Sequence, residues 1–306
     1  VSFILQNKLP LATDFVTLED FLSWAGEYFD QNSVFFGHGT DNAWDEAVML
    51  ALYVLQLPAE NDRSILKREL SANEQQQLLN LAVRRVEERI PVPYLTHEAW
   101  FAGERYYVNQ DVLIPRSPLA ETILDHFQPW LGDKQPNHIL DLCTGSGCLA
   151  ILTAKEFPDC KIDAVDISPA ALEVARKNIA LHKVAANVEL IESDLFNNLE
   201  ERRYDIILSN PPYVDEYDMS SLPEEFKHEP ELALASGKDG LDITVQILYQ
   251  ASKYLTDDGI LIVEVGNSWP ALEQRFPKLA FTWLEFFNGG DGVFLLYAQD
   301  LKGLTL

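Results

Sequence analysis

The apolar run Tyr204-Asp205-Ile206-Ile207-Leu208-Ser209 stops at Asn210-Pro211-Pro212-Tyr213. The run is bounded like a buried strand, and two consecutive prolines cannot continue a hydrogen-bonded ladder. The strand therefore ends in a rigid polar lip, the place where open α/β sheets put their chemistry. A glycine-bearing turn lies upstream, Asp141-Leu142-Cys143-Thr144-Gly145-Ser146-Gly147.

The surrounding pattern is α/β. Strands are expected over Ile139–Leu142, Lys161–Asp166, Val188–Ile191, Tyr204–Ser209 and Gly259–Val265, with a closing pair over Phe281–Phe286 and Val293–Ala298. Helices are expected over Leu149–Phe157, Pro169–Leu181 and Thr244–Tyr254, the second with Ser168 as N-cap and Pro169 at its first position. This alternation predicts a mainly parallel, doubly wound sheet over residues 116–306. Residues 1–90 read as a small helical domain. Its helices start near Thr17 or Asp14, run from Ala43 to Leu57, and run from Ser71 to Ile90, with a short piece over Leu66–Leu70. Residues 91–115 read as a linker. Pro91–Leu95 is expected to be extended, Trp100–Val108 to form a hairpin, and Asp111–Ile114 to form a strand.

The 306 residues, 47% of them apolar, suffice for a large core in one or two domains. Three cysteines make no disulfide framework, and the six histidines show no metal-ligand spacing. The opening residues lack a signal-peptide pattern and no apolar stretch has the length of a membrane span, so a cytoplasmic location is expected. With 48 acidic and 23 basic residues, the net charge is −25. Such a surface repels phosphate backbones and attracts basic proteins or peptides; it equally suits a merely soluble surface.

The glycine turn permits close backbone approach to a ligand, and the helix after it points its N-terminus at the same space. Ala150 stands where a third glycine would complete a dinucleotide fingerprint, a substitution such folds tolerate. Asp166 ends the second strand, where a carboxylate can take both hydroxyls of an adenosine ribose or cap the helix that follows. Asp141 can order the turn or face a cationic cofactor end. Asp194, backed by Leu195 and Phe196, can accept from an adenine amino group or simply end a strand.

The lip supplies two acceptors, the Asn210 side-chain oxygen and the Pro211 carbonyl. They can bind the two N–H groups of a planar amide or amine and stabilise positive charge growing on that nitrogen. Tyr213 can pack against the substrate group, wall off a methyl, or be a partly buried tyrosine. Lip and glycine turn together point to methyl transfer from S-adenosylmethionine to such a nitrogen. No Ser-His-Asp arrangement competes, and no general base is required.

At these residues the chain resembles the class I methyltransferases that modify a glutamine side-chain amide within a Gly-Gly-Gln-like segment of a translation protein. The resemblance spans nearly the whole chain. It rests on Ile114-Pro115-Arg116, the Asp141–Gly147 turn, Asp166-Ile167-Ser168 and Asn210-Pro211-Pro212-Tyr213. It implies that Asn210, Pro211 and Tyr213 bind the target amide. It further implies that Asp166 binds the ribose, and that Arg116, Asp141, Cys143, Gly145, Gly147, Ile167, Asp194, Leu195 and Asn210 belong to the cofactor site. The release-factor branch usually reads Ile-Pro-Arg-Pro-Glu-Thr-Glu; this chain has Ile114-Pro115-Arg116-Ser117-Pro118-Leu119-Ala120-Glu121. Together with Phe36–Ala47 and Leu222–Pro230, this is similar to the branch acting on the third protein of the large ribosomal subunit. That branch implies a free, basic ribosomal protein as partner. The alternatives are a release factor, an exocyclic adenine amine of nucleic acid, and a non-catalytic adapter. The Glu224–Glu231 stretch suits a lid, a peptide-docking segment or a solvated loop, and Arg116 suits the cofactor pocket or the end of the hairpin segment.

Overall fold

In the computed structural model, which describes residues 9–58, 62–199 and 202–304, the chain folds as two units, Val1–Thr96 and His97–Leu306. The first is helical. Helix α1 (Leu18–Gln31) opens on Thr17, whose hydroxyl accepts from the Asp20 N–H while the Asp20 carboxylate accepts from the Thr17 N–H. Asn42 caps α2 (Ala43–Leu55), and Ser71 and Glu74 repeat the reciprocal cap at α3 (Ala72–Glu87). Each reciprocal cap satisfies two N–H groups that the helix itself leaves unpaired. Phe21, Phe29, Leu50 and Leu78 meet in this unit's core. Arg85 is buried among them, donating to Glu46 at 3.0 Å and to the Phe35 carbonyl at 2.8 Å.

Residues Val92–Thr96 form a short helix, α4, rather than the extended segment their prolines suggested. Pro93 sits in its first turn, where a backbone N–H has no intrahelical acceptor, so proline costs nothing there. The short piece before α3 is a 3₁₀ turn over Arg63–Lys67.

The second unit begins with the expected hairpin, β1 (Glu98–Phe101) against β2 (Glu104–Tyr107). Asp111–Ile114 forms no strand. Val112 and Ile114 are buried, but the Ile114 N–H donates to a Glu229 carboxylate oxygen at 3.0 Å instead of joining a ladder. After α5 (Leu119–Leu124) come β3 (His138–Leu142), α6 (Cys148–Glu156), β4 (Lys161–Asp166), α7 (Pro169–His182), β5 (Val188–Glu192) and β6 (Tyr204–Ser209). Then follow α8 (Glu216–Ser221), α9 (Asp242–Ala251), β7 (Leu255–Glu264), α10 (Trp269–Arg275), β8 (Thr282–Trp283) and β9 (Val293–Tyr297).

The seven strands lie in the order β5-β4-β3-β6-β7-β9-β8. All neighbours from β5 to β7 are parallel; β9 runs antiparallel to β7 and β8. Alternation along each strand sends its side chains to two cores. Ile139, Ile162, Ile206 and Ile260 pack with residues of α5, α6 and α7, whereas Leu140, Val165, Ile207 and Leu261 pack with residues of α9 and α10. Burial on both faces is why these strands read as nearly unbroken apolar runs. Chain order reverses between β3 and β6, where Leu142 is in register with Ser209. In open α/β sheets that switch point forms a crevice at the strands' carboxyl ends.

Candidate active site

A cavity of about 200 Å³ occupies this crevice. Cys143, Thr144 and Gly145 line it after β3, Asp166 and Ile167 at β4, Ser193, Asp194 and Leu195 after β5, and Asn210 and Pro212 after β6. Its other walls come from Asp111–Leu113, Pro115–Ser117, and Pro230 and Leu232. Most of the residues singled out in the sequence therefore share one cavity. Asp141, Gly147, Pro211 and Tyr213 do not line it.

Gly145 has φ +54°, and a Cβ there would meet no atom within 4 Å, so the turn presents bare backbone to open space. Its N–H donates to Asp166 Oδ2 at 2.8 Å, and Asp166 Oδ1 accepts from the Ser168 N–H at 2.9 Å. Asp166 thus ties the glycine turn to the start of α7 and still borders the cavity. Burial raises its pKa, against the pull of those N–H donors. Gly147 is the N-cap of α6. Asp141 lies fully buried beneath the turn and accepts from the Thr144 hydroxyl at 2.5 Å. Burial lifts its carboxyl to about 7. Burial likewise pushes the Cys143 thiol up, so it is no thiolate.

The lip after β6 is held from both sides. Ser209 donates its hydroxyl to the Leu142 carbonyl at 2.9 Å. Tyr213 donates its hydroxyl to Glu264 Oε1 at 2.9 Å, and its carbonyl accepts from the Ser268 hydroxyl at 2.9 Å. Its ring lies so close to Gly266 that a Cβ there would come within 2.6 Å of it. Between these fixed points, neither the Asn210 carboxamide nor the Pro211 carbonyl is hydrogen-bonded among the described residues.

Sequence reasoning missed two carboxylates. Glu229 is buried and receives both arms of Arg116, at 2.6 and 2.7 Å. Glu264, 5% exposed at the end of β7, also accepts from Ser117 at 2.5 Å. A glutamate inside the apolar run Gly259–Val265 was the available signal, because a buried carboxylate demands donors.

The profile of the Methyltransferase small domain family matches residues 120–238. Over 294 residues the chain is 49% identical to a ribosomal protein uL3 glutamine methyltransferase of Neisseria gonorrhoeae, covering 95% of this chain and 98% of that one. It is 43% identical over 297 residues to the Francisella tularensis protein of the same name, covering 97% and 95%. The chain belongs to the ribosomal protein uL3 glutamine methyltransferase family. Among solved structures, the hMettl16 catalytic domain in complex with MAT2A 3'UTR hairpin 6 has a TM-score of 0.52 at 14% identity, covering 81% of this chain and 91% of that one. At that identity the likeness speaks for the fold alone.

Proposed function

We infer that this protein transfers a methyl group from S-adenosylmethionine to the side-chain amide nitrogen of a glutamine in free ribosomal protein uL3. One observation carries the chemistry: the Asn210 carboxamide borders the cavity, the Pro211 carbonyl follows it in the lip, and neither is hydrogen-bonded among the described residues. A primary amide offers two N–H donors to match these two acceptors.

The cavity fits the cofactor. Open backbone at Gly145 admits close approach, the Asp166 and Asp194 carboxylates suit ribose hydroxyls and an adenine amino group, and Val165, Ile167 and Leu195 supply apolar wall. When bound, S-adenosylmethionine supplies a sulfonium-activated methyl as a strong electrophile. The protein's task is then positioning. An amide nitrogen is a poor nucleophile because its lone pair is delocalised. Asn210 and Pro211 hold both N–H groups, fix the direction of the lone pair, and stabilise the positive charge that develops on nitrogen. The extra proton leaves that nitrogen to water. Cys143 is a wall, since its thiol stays protonated.

The helical amino-terminal unit is assigned to substrate recognition, and the two cores flanking the sheet support a doubly wound class I fold. A net charge of −25 supports a basic protein substrate met before it is buried in ribosomal RNA.

Methyl transfer from labelled S-adenosylmethionine to unassembled uL3 and, in parallel, to a release factor tests the reading, with mass spectrometry locating the label. A single methyl on one uL3 glutamine is expected. Label on the release factor alone would overturn the substrate, and equal labelling of intact large subunits would overturn the preference for the free protein.

A further inference from the structure

Glu264 takes no direct part in the chemistry above, yet it sits where the lip and the cavity wall meet. It is the last residue of β7, next to Val263, which is in register with Ser209 at the end of β6. Its carboxylate faces two hydroxyls from remote parts of the chain. Tyr213 donates to one oxygen at 2.9 Å and Ser117, a residue of the cavity wall, donates to the other at 2.5 Å. Burying a carboxylate costs several kcal/mol unless donors satisfy it, so a fold that keeps one here gains from the pairing it enforces. Both donors are hydroxyls that can also turn to other acceptors. The carboxylate therefore fixes their orientation.

The consequence reaches Asn210 through covalent geometry. Pro211 and Pro212 each have φ locked by their rings, so the chain between Asn210 and Tyr213 has few soft torsions. With the Tyr213 phenol held by Glu264, its ring against Gly266 and its carbonyl bound by Ser268, the far end of the lip is held at three points. Ser209 anchors the near end. We propose that Glu264 is a positioning residue for methyl transfer, tying Tyr213 to Ser117 and so setting the distance between the Asn210 lip and the opposite wall of the cavity. It touches neither substrate nor cofactor. Its effect falls on kcat, because misplacing the amide acceptors spoils alignment without removing cofactor contacts.

This inference rests on the methyl-transfer reading, and steady-state kinetics on uL3 separates the two. The variants are Glu264→Gln, Glu264→Ala, Tyr213→Phe and the double variant Glu264→Gln/Tyr213→Phe. Glu264→Ala is expected to lower kcat about a hundredfold, the scale of a misplacement near 1 Å. Its dissociation constant for S-adenosylmethionine should stay near that of the wild type. Glu264→Gln, which keeps the shape and one acceptor, should recover part of the loss. In the Tyr213→Phe background Glu264→Gln should cost little more, because the link it serves is already cut. If Glu264→Ala does not fold, the cycle built on Glu264→Gln decides alone. Unchanged kcat in Glu264→Gln, or losses that multiply independently of Tyr213, would overturn the role of Glu264. A wild type inactive on uL3 would instead overturn the reading of the whole site.

Discussion

Arg116 and Glu229, 113 residues apart in sequence, are joined by two parallel hydrogen bonds of 2.6 and 2.7 Å. The same carboxylate accepts the Ile114 N–H, and the Arg116 guanidinium also donates to the Ile114 carbonyl and lies over the Phe226 ring, 5.5 Å from its centre. The pair therefore fastens the Ile-Pro-Arg segment to the segment that follows the Asn210–Tyr213 lip. Both segments contribute cavity wall, through Pro115 and Ser117 on one side and Pro230 and Leu232 on the other.

Breaking that pair should open the wall. Arg116→Ala is expected to cost about 3 kcal/mol, the low end for removing one partner of a buried ion pair, because Arg116 keeps some solvent access. Lysine offers a point charge in place of the planar fork, so Arg116→Lys should recover less than half of the loss. Urea unfolding measures both, and calorimetric titration should find weaker S-adenosylmethionine binding in each. Full recovery by lysine would mean that charge alone, and not the fork, holds the segments together.

Asn210→Ala removes one of the two amide acceptors without touching a hydrogen bond of the fold. The expected outcome is a kcat at least about a hundredfold lower with cofactor binding changed by no more than about twofold, the signature of an interaction made mainly in the transition state. The measurement is single-turnover methyl transfer beside equilibrium binding. Equal activity would remove Asn210 from the reaction.

Much of this arrangement was legible locally. The strand bounds Lys161–Asp166 and Tyr204–Ser209 and the Ser168-Pro169 helix start came directly from apolar runs and end signals. They did so because doubly buried strands and capped helices are specified by neighbouring residues. What local pattern could not give is pairing across the fold. Asp111–Ile114 reads like a strand in its apolar run, but the Ile114 N–H pairs with a Glu229 carboxylate, 115 residues away, instead of a ladder. Pro91 and Pro93 look extended, and α4 forms because proline is harmless in a first turn. Glu264 and Ser117 are 147 residues apart. Tyr213, placed beside the substrate by its motif, donates its hydroxyl to Glu264, 51 residues away, and does not line the cavity.

Asp166 holds two backbone N–H groups at once, of Gly145 and Ser168. Its replacement by alanine releases the glycine turn as well as removing a carboxylate from the cavity. Hydrogen bonds to a charged group contribute about 1.5–3 kcal/mol, so Asp166→Ala should weaken S-adenosylmethionine binding roughly tenfold to a hundredfold. Asp166→Asn retains an acceptor for one N–H and should lose less. Calorimetric titration of both variants checks the ranking, and equal affinities in wild type and Asp166→Ala would assign the residue to capping α7 alone.

Asp141 should leave a mark on stability against pH. Burial raises its pKa from the ordinary 3.8 to about 7, so the folded protein binds a proton that the unfolded chain releases. For a carboxylate raised in this way, the contribution to stability is fully present below pH 3.8 and is lost as pH rises through about 7. The amount is on the order of 4 kcal/mol at most, and the raised Asp166 and Glu264 carboxyls slope in the same direction. Asp141→Asn is neutral at every pH, nearly isosteric, and keeps an acceptor for the Thr144 hydroxyl. It should therefore be more stable than the wild type at pH 8, with the advantage shrinking toward pH 4. Urea unfolding of both proteins across that range measures the difference directly. A gap that stays constant with pH would mean that Asp141 is ionised in the folded state, held so by donors rather than neutralised by burial.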